Sequence, residues 1–314
     1  MIGVGIPGMN EELRRELLDL KAEDLRVRTL LERDGRLFRG YDPDMEAVHR
    51  RNAGRLREIV GQHGWPTRDL VGDDGAEAAW LIAQHAIGDP PFQRRCLVLL
   101  ERAAAEGQIP RWQPAYLQDR IRMFEGWPQL YGTQMAPDEQ GEMTVWPIAE
   151  GAALNSRRRS VGLRAFEERQ IAPIPAGAPG DRRTTRATME GWVRSVGWRQ
   201  RILHLTTEDA WNAARRDGAY RPASLASEGF IHCSEPQQVV AVANRLFRGR
   251  RDLVMLHIDI TKLTVPGKYE NLEGGHELYP HIYGPLNLDA VVRVTPFAPG
   301  PAGDFDVDDL AAVY

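Results

Sequence analysis

The hydrophobic period of this chain changes once along its length, and that change limits the possible folds more than any other feature. Up to about residue 124 apolar residues recur at alternating steps of three and four, and beyond about residue 201 they recur every second residue. The first pattern buries a helical stripe and the second buries one face of a strand. At 314 residues the chain is also about twice the size expected of a single domain. The pattern predicts an all-α helical bundle over residues 10–165, a linker over 166–200 and an α+β domain over 201–314.

Met1 to Met9 is Gly-rich and aperiodic. From Asn10, a good N-cap residue, Leu13, Leu17, Leu20, Val27 and Leu31 fall on one helix face. Further helical patterns run over Pro43–His63, Gly75–Ala86, Pro91–Ala105 and Pro114–Phe124, separated by Gly-Trp-Pro, Gly-Asp-Pro-Pro and Ile-Pro turns. After Gln129-Leu-Tyr-Gly-Thr-Gln, the segment through about Val161 reads as irregular with a short hairpin around Asp138 to Gly141. Ile171 to Arg201 reads as a linker whose sole helical turn is Met189 to Val196. Strands are predicted over Arg201–Thr206, Gly229–Ser234, Leu253–Asp259, Pro280–Leu286 and Ala290–Pro296, with helices over Glu208–Asp217 and Pro236–Phe247.

A net charge of −4 gives no broad basic field, so a small-molecule substrate is expected and a nucleic-acid partner is not. No run reaches the ~18 to 20 apolar residues of a membrane span. The first residues lack a basic segment followed by an apolar run, so no membrane partner and a cytoplasmic location are expected. The two cysteines, Cys96 and Cys233, are too few for a disulfide framework and read as reduced and structural.

Alternation along strands pairs His204 with Thr206, His232 with Ser234 and His281 with Tyr283, each pair on one strand face. One such histidine alone reads most simply as a hydrogen-bonded, half-buried residue. Three together give up so much apolar burial that a ligand cleft is expected, with His204, His232 and Tyr283 lining one pocket.

The strings Ile202-Leu-His-Leu-Thr-Thr, Phe230-Ile-His-Cys-Ser, Tyr269-Glu270 and Pro280-His-Ile-Tyr-Gly-Pro-Leu resemble the bacterial domain of unknown function 952 over about Arg201 to Phe297. The resemblance implies a bent, ADP-ribosyltransferase-like sheet, with NAD as a substrate whose nicotinamide–ribose bond is cleaved or whose ADP-ribosyl group is transferred. It implies catalytic roles for Glu270, His232 and His281, with Glu270 stabilising an oxocarbenium-like ribose, and Glu273 and Glu277 are its rivals. His204 and Thr206 would hold a ribose or the carboxamide, Tyr283 would stack on a ring, and His232 with Ser234 would line the diphosphate or acceptor side. No Gly-rich phosphate loop accompanies these residues.

The helical half carries a second candidate site. Asp24 interrupts the stripe between Leu20 and Val27. His49 and Asn52 share a face with Met45 and Leu56, His85 follows Ala78, Leu81 and Ile82, and Arg120 follows Leu117. These five polar groups read first as a buried network pairing Asp24 with Arg120 and Asn52 with a histidine, and second as a pocket. A metal site of Asp24, His49 and His85 lacks the usual ligand spacing, so no metal is expected. Leu70-Val-Gly-Asp-Asp-Gly, Gln84-His85-Ala, Asp119-Arg120 and Gln129-Leu-Tyr-Gly-Thr-Gln resemble the helical domain of unknown function 6624 over about Glu11 to Leu163, which brings no activity with it. Three readings follow: an enzyme acting on a nucleotide-like or glycosidic small molecule, a hydrolase or isomerase centred on His49, His85 and Asp24, or a non-enzymatic ligand-sensing or partner-binding protein.

Overall fold

Asn10 starts the first helix as its composition predicts: its side-chain oxygen accepts the Leu13 N–H at 3.0 Å and caps α1 (Glu11–Arg33). The structure, a computed structural model, describes residues 9–138, 143–149, 151–166, 182–272 and 278–306. The chain divides into two compact units, one of residues 1–123, 129–148 and 152–198, the other of residues 124–128, 149–151 and 199–314.

The first unit is helical. Asp42 caps α2 (Pro43–His63), which opens on proline and stops at Gly64, and α3 (Arg68–His85) packs on both α1 and α2. Gly72 adopts φ 72° inside α3, so the helical stretch predicted from Gly75 gains a turn ahead of it across a kink. Asp89 caps α4 (Pro90–Ala105), and α5 (Trp112–Glu125) follows. The buried residues of α1 are Leu13, Leu17, Asp24, Val27 and Leu31, the stripe read from the sequence with its one carboxylate turned inward. Strands β1 (Met135–Pro137) and β2 (Met143–Val145) pair antiparallel around the predicted hairpin position, whose turn residues lie outside the described residues. A short α6 (Leu154–Ser160) follows.

Part of the predicted linker is a helix, α7 (Arg182–Ser195), and belongs to this unit. Val193 and Trp198 are buried, and the Trp198 indole N–H donates to the Ile87 carbonyl at 2.7 Å. Its few apolar residues are spaced by Arg and Thr, which hides a helix that packs through only a few side chains.

The second unit is α+β, as predicted. Strand β3 (Arg201–Thr207) leads into α8 (Glu208–Asp217), β4 (Ala219–Tyr220), α9 (Ala223–Ser227), β5 (Ile231–His232) and α10 (Val239–Leu246). Then come β6 (Leu253–Asp259), β7 (Gly267–Glu270), β8 (Tyr279–Ile282), β9 (Leu286–Asn287) and β10 (Val291–Pro296). The strands form antiparallel sheets in the orders β10-β6-β3 and β5-β8-β7, with β4 paired to β9, and a bridge between Leu203 and Ser234 joins the two larger sheets.

Strands β3 and β6 of sheet β10-β6-β3 are buried on both faces, whereas the edge strand β10 is mostly exposed. Ile202, Leu256 and Ile258 enter one core with Trp211, Tyr220, Ile231 and Ile282. Leu203, Leu205 and Met255 enter another with Trp127, Val239 and Phe297. Sheet β5-β8-β7 turns Ile231 and Ile282 into the first core and its other face outward. Among the described residues no helix is long and apolar enough to cross a membrane. Both cysteines are buried, and burial pushes the Cys96 thiol up to about 12.

Candidate functional site

In the helical unit three helices deliver three ligand-type side chains to one place. Asp24 is 1% exposed; its two oxygens lie 3.0 and 2.9 Å from His85 Nδ1, and Oδ2 lies 3.3 Å from His49 Nε2. A carboxylate only accepts, so His85 Nδ1–H donates. The outer nitrogen of His49, Nδ1, lies 2.7 Å from the Tyr41 hydroxyl. Burial pushes the Asp24 carboxyl up, but the neighbouring imidazoles of His49 and His85 outweigh it and hold the group well below the usual carboxylate range. Burial pushes His85 down, against the pull of Asp24.

The two expected pairings of this cluster are corrected. Arg120 does not pair with Asp24; it donates to the Gln84 carbonyl at 2.9 Å and to Gln134 Oε1 at 3.1 Å. Asn52 does not reach a histidine; its amide donates to the Leu20 carbonyl at 3.0 Å and ties α2 to α1. The stripe argument says which way a side chain points but not which neighbour stands at its level, and that level is set by how the helices slide along one another.

Asp24, His49 and His85 offer ligand atoms that all lie within 4.8 Å of one another, the one such group among the described residues. Tyr41, which sequence reasoning missed, sits in the aperiodic turn before α2, where no pattern marks it. Trp192 of α7 packs edge-on against it, ring centroids 4.6 Å apart. A cavity of about 210 Å³ beside the cluster is lined by Tyr41, Glu46, His49, Arg50, Arg57 and Asp89. A broader depression of about 550 Å³ runs along His63, Trp65, Asp69, Leu99 and Arg102 and holds none of the expected groups.

Asp119 was also missed, because an aspartate in a helix usually reads as solvated. It is fully buried and accepts the N–H groups of Leu130, Tyr131 and Thr133 and the Thr133 hydroxyl, which clamps the Leu130–Thr133 loop onto α5.

In the second unit the outward face of β5-β8-β7 gathers four expected residues. Register places His232 opposite His281 and His281 opposite Lys268, so the three form a row across three strands. Phe230 packs against the rings of His232, His281 and Tyr283 at centroid distances of 4.8, 4.6 and 5.6 Å. The Tyr283 hydroxyl donates to Glu270 Oε2 at 2.5 Å, and that oxygen lies 4.0 Å from His281 Nδ1. The bond to Glu270 pushes the Tyr283 phenol up, so it remains a donor. Lys268 Nζ stands 3.9 Å from Glu270 Oε1 and 4.5 Å from the Tyr283 ring centre. His232 is exposed and pairs with Glu228 at 3.0 Å. Glu270, outside every predicted strand, ends strand β7, while its rivals Glu273 and Glu277 lie outside the described residues.

His204, Thr206 and Ser234 do not join this face, and the single pocket expected for His204, His232 and Tyr283 is corrected. His204 faces the core of β3: Nδ1–H donates to the His232 carbonyl at 2.6 Å, and Nε2 lies 2.8 Å from the Tyr220 hydroxyl, which lies 2.8 Å from Thr206 Oγ1. Burial pushes His204 down to about 4, which leaves it neutral. Ser234 is buried and its backbone pairs with Leu203. Alternation separates the two faces of a strand, but which face meets another sheet depends on packing.

Two family patterns match the chain: the family of unknown function DUF6624 over residues 11–172 and the protein of unknown function DUF952 over residues 205–294. No curated protein matches. Among solved structures, the crystal structure of protein CC0527 from Caulobacter crescentus is similar at 30% identity and a TM-score of 0.33, covering 36% of this chain and 98% of that one. A solution NMR structure of the same protein gives 29% identity, the same TM-score, and coverage of 37% and 99%.

Proposed function

The chain belongs to the DUF6624 family, with a DUF952 region after it, and from that premise we propose that it is an enzyme acting on a nucleotide-like or glycosidic small molecule. The concrete form of the reading is cleavage of the nicotinamide–ribose bond of NAD, or transfer of its ADP-ribosyl group. One observation carries it: a carboxylate, Glu270, that is within reach of solvent yet fixed at 2.5 Å by the Tyr283 hydroxyl, beside His281 and His232 on one sheet face. Bond cleavage at a carbon–nitrogen glycosidic centre needs a carboxylate that a ring can approach, which the 1% exposed Asp24 is not.

In this reading the bond between ribose C1 and the nicotinamide nitrogen breaks, and its electron pair leaves with nicotinamide. The ribose becomes oxocarbenium-like, and Glu270 stabilises the positive charge. Tyr283 fixes the carboxylate and Phe230 offers a flat apolar surface to a ring. Exposed Lys268 supplies charge for a phosphate-bearing substrate. Water, or an acceptor nucleophile, then bonds to C1 and gives up a proton.

The test is nicotinamide release from NAD by the purified chain, with Glu270→Gln beside it. The amide keeps the shape but loses the charge, so kcat should fall by about 100-fold or more with little change in KM. An unaltered kcat in Glu270→Gln would remove the carboxylate role. No release of nicotinamide would remove NAD and move the search to small molecules retained on purification.

A further inference from the structure

The helical unit holds a second constellation that the C-terminal reading does not use. We propose that Asp24, His49 and His85 bind a divalent metal ion of the zinc class, with a carboxylate oxygen, His49 Nε2 and His85 Nδ1 as its ligands. The sequence hides the site because its ligands come from α1, α2 and α3 with no short spacing between them. Folding brings the three ligand atoms within 4.8 Å of one another.

Two imidazole nitrogens and one carboxylate oxygen form the donor set of three-ligand zinc sites, which leave a fourth position for water or a substrate oxygen. In tetrahedral coordination such ligand atoms stand about 3.3 Å apart. Asp24 Oδ2 lies 2.9 Å from His85 Nδ1 and 3.3 Å from His49 Nε2; an ion takes the place of the His85 Nδ1 proton, which passes to solvent, and draws the three atoms, now within 4.8 Å of one another, onto itself.

The independent sign is His49 itself. It is 9% exposed, and its Nε2 atom is buried without a hydrogen-bond partner even though it faces the Asp24 carboxylate. A network that served only to fix helix register would satisfy that nitrogen. The opposite nitrogen, Nδ1, lies 2.7 Å from the Tyr41 hydroxyl. When Nδ1–H donates there, Nε2 turns a lone pair toward Asp24. Two electron-rich atoms in contact at 3.3 Å repel each other, and a cation coordinated by both relieves that repulsion. Tyr41 then acts as the outer partner that fixes the ring of a ligating histidine. His49 and Tyr41 also line the cavity of about 210 Å³, so the fourth position is reached from it.

The experiment uses the full chain stripped with a chelator and titrated with Zn²⁺ by calorimetry and with Co²⁺ by visible absorption. One ion per chain is expected, with the intense visible bands of four- or five-coordinate cobalt and no thiolate charge-transfer band. His49→Gln and Asp24→Asn should weaken binding by more than the about 100-fold that loss of an outer partner can reach, and Tyr41→Phe by about 10-fold. His63→Gln, on the exposed end of α2, should leave it unchanged. If the ligand variants fail to fold, the cobalt spectrum of the unaltered chain and the Tyr41→Phe affinity decide the matter. Failure to take up one ion, an octahedral cobalt spectrum, or unaltered binding in folded His49→Gln would overturn the proposal. None of these readouts depends on the NAD reaction.

Discussion

At the scale of single residues, the clearest difference lies between histidines that look alike in sequence. His204 and His232 each stand on a strand beside a hydroxyl residue, yet one is 9% exposed and the other lies on the open face. His204 predicts a measurable pH dependence. In the unfolded chain it titrates near 6.5, and in the folded chain burial holds it at about 4. Between those values the unfolded state binds a proton that the folded state refuses, so stability falls as pH falls through the window and is flat above it for this group. The full effect is about 3 kcal/mol. Buried His257, also pushed to about 4, adds a similar effect. Urea denaturation at pH 7 and pH 5 should show the loss, with a shallower pH slope in His204→Gln, and equal slopes in the two proteins would contradict it.

At the scale of elements, long amphipathic helices were read almost to the residue: the predicted Pro43–His63 is α2 itself, and Glu208–Asp217 is α8. Short elements were not. Strand β7 carries Glu270 but has only four residues, three of them polar or glycine, and pairs through its backbone with β8. No periodicity develops over such a length. Helix α3 offers a test of why its start was misplaced. Gly72 holds φ 72° at the kink, and an added Cβ there would meet Asp74 Oδ1 at 3.2 Å and Met9 Sδ at 3.3 Å. Asp74 is also held by a two-pronged contact with Arg14, at 2.8 and 2.6 Å. Gly72→Ala should therefore destabilise the helical unit by about 1 to 2 kcal/mol, read by thermal unfolding. An unchanged or higher Tm would mean that the turn before Gly72 contributes nothing.

At the scale of the whole molecule, two units were expected from the change of period, and the structure redraws where each one ends. Residues 182–198 belong to the helical unit, through buried Val193 and the Trp198 bond to Ile87. Residues 124–128 belong to the α+β unit, where Trp127 is 2% exposed in a core with Leu203, Leu205 and Phe297. Fragments cut at the ends of the predicted linker, near Arg169 and Gly197, would lose both. A helical fragment extended through Trp198 should melt at a higher temperature than one ending at Arg169. A fragment starting at Gly197 should melt below the intact second unit for want of Trp127. Equal melting temperatures in both comparisons would count against this division.

The sequence by itself determined the helical stripes, the cap at Asn10, the alternating strands and the inward turn of Asp24, because each follows from spacing within one element. It did not determine that Asp24 meets His85 and His49 and not Arg120, that Tyr41 stands behind His49, or that His204 faces a core while His232, Tyr283 and Glu270 share the outward side of a sheet with buried His281. Those facts depend on where one helix stops along another and on which side of a sheet a second sheet settles. Such positions are fixed by contacts between residues far apart in the chain, whereas periodicity records only contacts between near neighbours and the side on which each residue lies.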